Sequence, residues 1–148
     1  MALKKTLVLL CGSFAVHGDD AAFLIEKQLK NAIGKDAKII RCADPFEIVK
    51  LSEKYGKMII VDATEGIKKA KIITTEELEN PAIVTPHDLD VSFALQLLAK
   101  IEPEKMKKIR IVALPMEKNR GMKKGKKTEK EAIELIRKMV SERKTVSE

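Results

Sequence analysis

Three loops of this sequence carry side chains suited to acid–base or metal chemistry. The first, Gly12-Ser13-Phe14-Ala15-Val16-His17-Gly18-Asp19-Asp20, is bounded by glycines and ends in two carboxylates. In the second, Asp62 directly follows the apolar run Ile59-Ile60-Val61, and in the third His87 stands within Thr85-Pro86-His87-Asp88. Asp20, Asp62 and His87 together offer two carboxylates and an imidazole. Such an O,O,N donor set suits a divalent ion that keeps open coordination positions: zinc, nickel, iron or manganese. Spacing does not choose among these metals.

Each residue also has a plainer reading. Asp19 and Asp20 fit a helix start, where their charge would face the positive end of the dipole. Asp62 at a strand end fits an Asx-turn. His87 fits an ordinary surface position near a helix start, although the dipole there lowers imidazole basicity and leaves it free to ligate. His17 is a further candidate, ranked below His87 because it stands alone in its loop. Cys11 and Cys42 lie in apolar stretches without a CxxC pair or metal-finger spacing, so they read as buried core thiols in a reducing compartment. No phosphate-binding Gly-rich loop, Gly-x-Ser-x-Gly or His-Glu-x-x-His is present, which removes the signatures of nucleotide binding, serine hydrolysis and ordinary zinc proteolysis.

The elements between these loops explain how they would converge. Thr6–Cys11 predicts a strand and Asp20–Ile33 a helix, with Phe23, Leu24, Leu29 and Ile33 on its apolar stripe. Ala37–Cys42 predicts a second strand. Asp44-Pro45-Phe46-Glu47 then supplies a cap, a proline and a capping-box acid for a helix to about Tyr55. Met58–Val61 and Lys71–Thr74 predict a third and a short fourth strand. A helix from the Thr85 cap to about Ile101 follows, then a strand over Ile109–Leu114. Thr128 and Glu131 form another capping box, opening a last helix through Val140. Alternation of this kind predicts one α/β domain over residues 1–148, with a mostly parallel sheet covered by helices on both faces. Ligands of such sheets bind beyond the carboxyl ends of the strands, where the three loops belong.

Composition narrows the class further. A chain of 148 residues with 45% apolar and 34% charged side chains is expected to bury a real core. It has no run long enough to span a bilayer, so no membrane insertion is expected. Lys4-Lys5 and the apolar run to Val16 superficially imitate a secretory signal, but the run equally suits a doubly covered parallel strand, and no cleavage is expected. The net charge of +7 resides almost wholly between Lys118 and Lys130, where seven basic residues face only Glu129. That segment predicts a mobile, solvated basic loop at 118–130. With 3% aromatic residues there is little on which bases could stack, so no nucleic-acid partner is expected.

Against this background the sequence resembles the hydrogenase maturation endopeptidases. Leu7-Val8-Leu9-Leu10-Cys11-Gly12-Ser13 followed by Gly18-Asp19-Asp20 is similar to that family's opening, a strand, a Gly-Asn loop and an acidic pair. Ile59-Ile60-Val61-Asp62-Ala63 resembles its second motif, and Thr85-Pro86-His87-Asp88-Leu89 its third. Val112-Ala113-Leu114-Pro115 and the last helix resemble the family's final elements, so the resemblance runs in order along nearly the whole chain. Three departures stand out. The Gly-Asn is Gly12-Ser13, the glycines after the acidic pair are Ala21 and Phe23, and Arg41-Cys42-Ala43-Asp44 replaces an Asp-Gly-Gly-Thr loop.

The resemblance implies a cytoplasmic single-domain α/β endopeptidase that removes the C-terminal extension of a nickel–iron hydrogenase large-subunit precursor after nickel insertion. It implies that Asp20, Asp62 and His87 are the nickel ligands and the catalytic site. The nickel would come with the precursor and be shared with the protease, so no tightly held cofactor is expected. Two rivals remain: a non-cleaving relative that binds nickel or checks precursor loading, and a nucleic-acid-binding module working through Lys118–Lys130. The sequence specifies no oligomeric state.

Overall fold

The computed structural model describes residues 5–11, 25–42, 44, 46–64, 68–73, 88–115 and 123–142. These form strands β1 (Thr6–Cys11), β2 (Ala37–Cys42), β3 (Lys57–Thr64), β4 (Lys71–Ile73) and β5 (Ile109–Pro115). Their helices are α1 (Glu26–Ile33), α2 (Glu47–Lys54), α3 (Asp88–Ile101), α4 (Pro103–Met106) and α5 (Lys123–Ser141). The strands make one sheet in the order β2-β1-β3-β5-β4. All pairings are parallel except β4 with β5, so the sheet is mixed but mostly parallel. Among the described residues no helix is long and apolar enough to cross a membrane.

The apolar runs become internal strands because both of their faces are covered. Leu7, Leu9, Met58, Ile60, Ile109 and Ile111 pack with Ile48 of α2 and with Leu95 and Leu98 of α3. Val8, Leu10, Ile59, Val61 and Val112 face the other way and pack with Leu29 and Ile33 of α1 and with Ala132, Ile136 and Met139 of α5. Alternation of side chains along a strand sends neighbouring residues into different layers, so an unbroken apolar sequence is what a doubly covered strand requires. The described part of the run that imitates a secretory signal, Thr6–Cys11, is β1, paired on both sides by β2 and β3. The two outer strands are blunted against further pairing. β4 has only three residues, and β2 exposes Lys38 and Arg41.

Local signals set several element ends. The backbone N–H of Phe46 donates to Asp44 Oδ1 at 3.0 Å and that of Glu47 to the Asp44 carbonyl at 3.0 Å, so the expected Asp44 cap forms before α2. α1 ends at Gly34, whose φ of 62° lies where glycine alone escapes a Cβ penalty. Of the helices expected from Asp20 and from Thr85, the described parts run from Glu26 and Asp88; residues 12–24 and 74–87 lie outside the described residues.

Two expectations need correction. Residues 123–130, expected as part of a mobile basic loop, belong to α5, which begins five residues before the Thr128 capping box; residues 118–122 lie outside the described residues. Lysine is a good helix former, and extending an existing amphipathic helix adds a hydrogen bond per residue without a new nucleus. That gain outweighs Gly125, which costs about 1 kcal/mol relative to alanine. The third strand also runs past Val61 to Thr64, because its ladder with β5 continues through Asp62↔Ala113, Ala63↔Leu114 and Thr64↔Pro115. The short helix α4 was not foreseen; its cue is Pro103 at the first helical position.

Candidate active site

Asp62 stands inside the central strand rather than in a turn, which removes the Asx-turn reading. The same alternation that buries Met58 and Ile60 against α2 and α3 turns Asp62 to that face, two residues nearer the carboxyl end. It is 3% exposed, and its register partner on β5 is Ala113, also buried. Only two polar or charged side chains are buried among the described residues, Ser52 and Asp62. Ser52 is accounted for locally: its hydroxyl donates to the Val49 carbonyl of its own helix at 2.6 Å. A carboxylate is far more expensive to bury than a hydroxyl, and a branched apolar residue in its place would add to the core. Departures of this kind from otherwise consistent patterning concentrate at functional sites.

The topology makes the same point. From β1 the sheet builds outward to β2 on one side and to β3 on the other, so the strand order reverses between β1 and β3. At such a switch point the connections leave in opposite directions and open a crevice beyond the carboxyl ends. Leu10 pairs with Val61, so Cys11 and Asp62 are the next residues on the two strands that flank this crevice. Asp62 thus stands near the carboxyl end of a strand that borders the switch point, the end beyond which open α/β sheets generally bind ligands. A carboxylate there can accept a proton from water or ligate a cation, and its oxygens suit nickel, zinc, iron or manganese alike.

Asp20 and His87, the other two members of the expected set, lie outside the described residues, as does His17. Among the described residues no three His, Cys, Asp or Glu side chains come together as a metal-binding group. One association was missed by reading the cysteines singly. Cys11 and Cys42 are register partners on β1 and β2, buried in one cluster on the face that Asp62 shares. The cue was available, since TLVLLC and AKIIRC are strands of equal length that both end in cysteine. The Cys11 thiol hydrogen-bonds to Cys42 and holds its thiol below the ordinary value of 9.0, against burial and the charge of Glu47.

The opposite face of this edge is built for structure. Glu26, at the start of α1, bonds Arg41 of β2 and pairs with Lys30 at 3.0 Å. Burial raises the Glu26 carboxyl, but the hydrogen bonds from Arg41 and Lys30 more than offset it and leave the group below 4.5.

The same arrangement of strands and helices occurs in solved proteins. A [NiFe] hydrogenase maturation protease HybD from Thermococcus kodakarensis matches with a TM-score of 0.67 at 18% identity, over 93% of this chain and 99% of that one. The hydrogenase maturating endopeptidase HybD from E. coli matches with a TM-score of 0.66 at 20% identity, over 89% of each chain. The maturation protease HycI from Thermococcus kodakarensis KOD1 matches with a TM-score of 0.60 at 17% identity, over 94% of each. By sequence, no protein-family model and no curated protein matches. The fold expected from the sequence motifs is therefore the fold observed, and it is one that solved hydrogenase maturation proteases share.

Proposed function

Starting from a fold shared with maturation proteases, we propose that this protein is an endopeptidase that removes the C-terminal extension of a nickel-loaded hydrogenase large-subunit precursor. The observation that carries the proposal is Asp62: a buried carboxylate at the carboxyl end of the central strand, beside the switch point, at the position of the second resemblance motif. Asp20 and His87 complete the set in this reading. The nickel is part of the substrate, and the three side chains engage it as the precursor docks. Fixing the precursor through one ion would hold the scissile peptide in a single orientation, which is how a protein turns binding into rate. Asp62 suits this task because a strand paired on both sides moves less than a loop. The cytoplasm, where free thiols persist, is the compartment consistent with Cys11 and Cys42 as thiols.

The test is incubation of the nickel-loaded precursor with the protein, followed by intact-mass measurement. Loss of the extension supports the proposal. Stable binding without cleavage would instead make this a protein that checks precursor loading. His87→Ala is expected to abolish cleavage, and efficient processing by that variant would return His87 to its plainer surface reading.

A further inference from the structure

Cys11 and Cys42 are separated by 31 positions in sequence yet are the paired last residues of two adjacent parallel strands. Both side chains face the α2/α3 layer, with 1% and 3% exposure. Adjacent strands lie about 4.7–4.9 Å apart. Their Cα separation therefore falls inside the roughly 4.4–6.8 Å window within which a disulfide closes. Cys42 Sγ also lies 3.1 Å from the Asp44 carbonyl, in the turn that opens α2.

We propose that Cys42 is a site of oxidative modification by peroxide, with Cys11 as its resolving thiol. Cys42 thiolate attacks one oxygen of hydrogen peroxide. The O–O bond breaks, the leaving oxygen departs as water after taking up a proton, and Cys42 becomes a sulfenic acid. Cys11 sulfur then attacks the Cys42 sulfur. The S–O bond breaks, the hydroxyl leaves as water with the Cys11 proton, and a Cys11–Cys42 disulfide remains. Two thiols are oxidised by two electrons, and one peroxide is reduced to two waters. This is the ordinary course for a thiol with a resolving neighbour.

Geometry and local electrostatics support the order of roles. The hydrogen bond from the Cys11 thiol holds the Cys42 thiol below its ordinary value, which favours the Cys42 thiolate over that of an ordinary cysteine. The bond is also expected to be readily reversed. Disulfides favour a Cβ separation of about 3.5–4.5 Å, slightly less than the spacing of parallel strands, and strained disulfides reduce more easily. It would tie the carboxyl ends of β1 and β2 together.

The test uses the full chain, reduced and then exposed to hydrogen peroxide, denatured with N-ethylmaleimide and weighed intact. The expected product is lighter by two hydrogens, carries no maleimide, and regains both thiols with dithiothreitol. Dimedone should trap at least about tenfold less sulfenic acid per oxidised chain in the folded protein than in guanidinium, because the fold holds Cys11 against Cys42 and speeds the second step. In Cys11→Ser, dimedone should trap a sulfenic acid at Cys42. Two maleimide adducts after the same exposure, equal dimedone trapping in the folded chain and in guanidinium, or intermolecular disulfides alone would overturn the proposal. None of these readouts depends on whether the protein cleaves a precursor.

Discussion

The two ends of the sheet handle polar groups in opposite ways. At the amino end two lysines tie elements together. Lys57, the first residue of β3, donates to the Met139 carbonyl and, at 3.2 Å, to the Glu142 carbonyl at the end of α5. A cation belongs there, against the negative end of the helix dipole. Lys105 pairs with Glu102 and Glu53, and its ammonium is raised chiefly by the hydrogen bond to Glu102. These groups remain partly in water and make few demands on the core. At the carboxyl end a carboxylate and two thiols are buried on one face instead. The contrast teaches where to look for function in a sheet of this kind: at the end where polar groups are buried at a cost to the core.

The largest expected effect is on activity. Asp62→Asn should lower precursor cleavage by about 10²–10⁴-fold, the usual reach of a positioned acid–base group. Its stability in urea should match or exceed that of the unmodified protein, because removing a functional buried charge is commonly neutral or stabilising. A loss of several kcal/mol would instead make Asp62 a structural tie and erase the contrast between the two ends. Two residues earlier on the same face, Ile60→Ala should cost about 2–5 kcal/mol in the same titration. A smaller cost would show that the α2/α3 layer is less tightly packed than its buried side chains indicate.

The amino-end ties should each matter modestly. Lys57→Met should cost about 0.3–1 kcal/mol, less at high salt, since it removes a cation from a helix terminus. Salt-independent loss would point to packing of the lysine stem rather than its charge. Smaller still is Glu26, the structural acid at the carboxyl end. Its folded carboxyl lies below the unfolded value of 4.5, so its contribution is fully present above that pH. It should be lost as pH falls through the lower folded value. Glu26→Gln should cost at most about 1 kcal/mol at neutral pH and flatten this acid limb. An unchanged pH dependence would remove Glu26 from the account.

Much of this fold was legible because its signals are local. Six-residue apolar runs ending at Cys11 and Cys42 gave strands of the expected extent, and the Asp44 cap formed as its residue types require. What failed depended on partners distant in sequence. Nothing near Asp62 announces that β5 will hold it in a ladder through Ala113, so the strand was read as ending three residues early. The early start of α5 was hidden because glycine and like charge argue against a helix locally, while extension from a well-packed stripe argues for it. Of the candidate site, one carboxylate was read correctly as lying at the carboxyl end of the sheet. The thiol pair went unread because register is a relation between strands and neither strand specifies it alone.

The central claim is that the precursor's nickel is what brings substrate and protein together. Nickel-loaded and nickel-free forms of one large-subunit precursor, incubated separately with this protein and weighed intact, test it most directly. The account predicts that only the loaded form loses its C-terminal extension. Equal processing of the nickel-free form, or none of the loaded form, would contradict it.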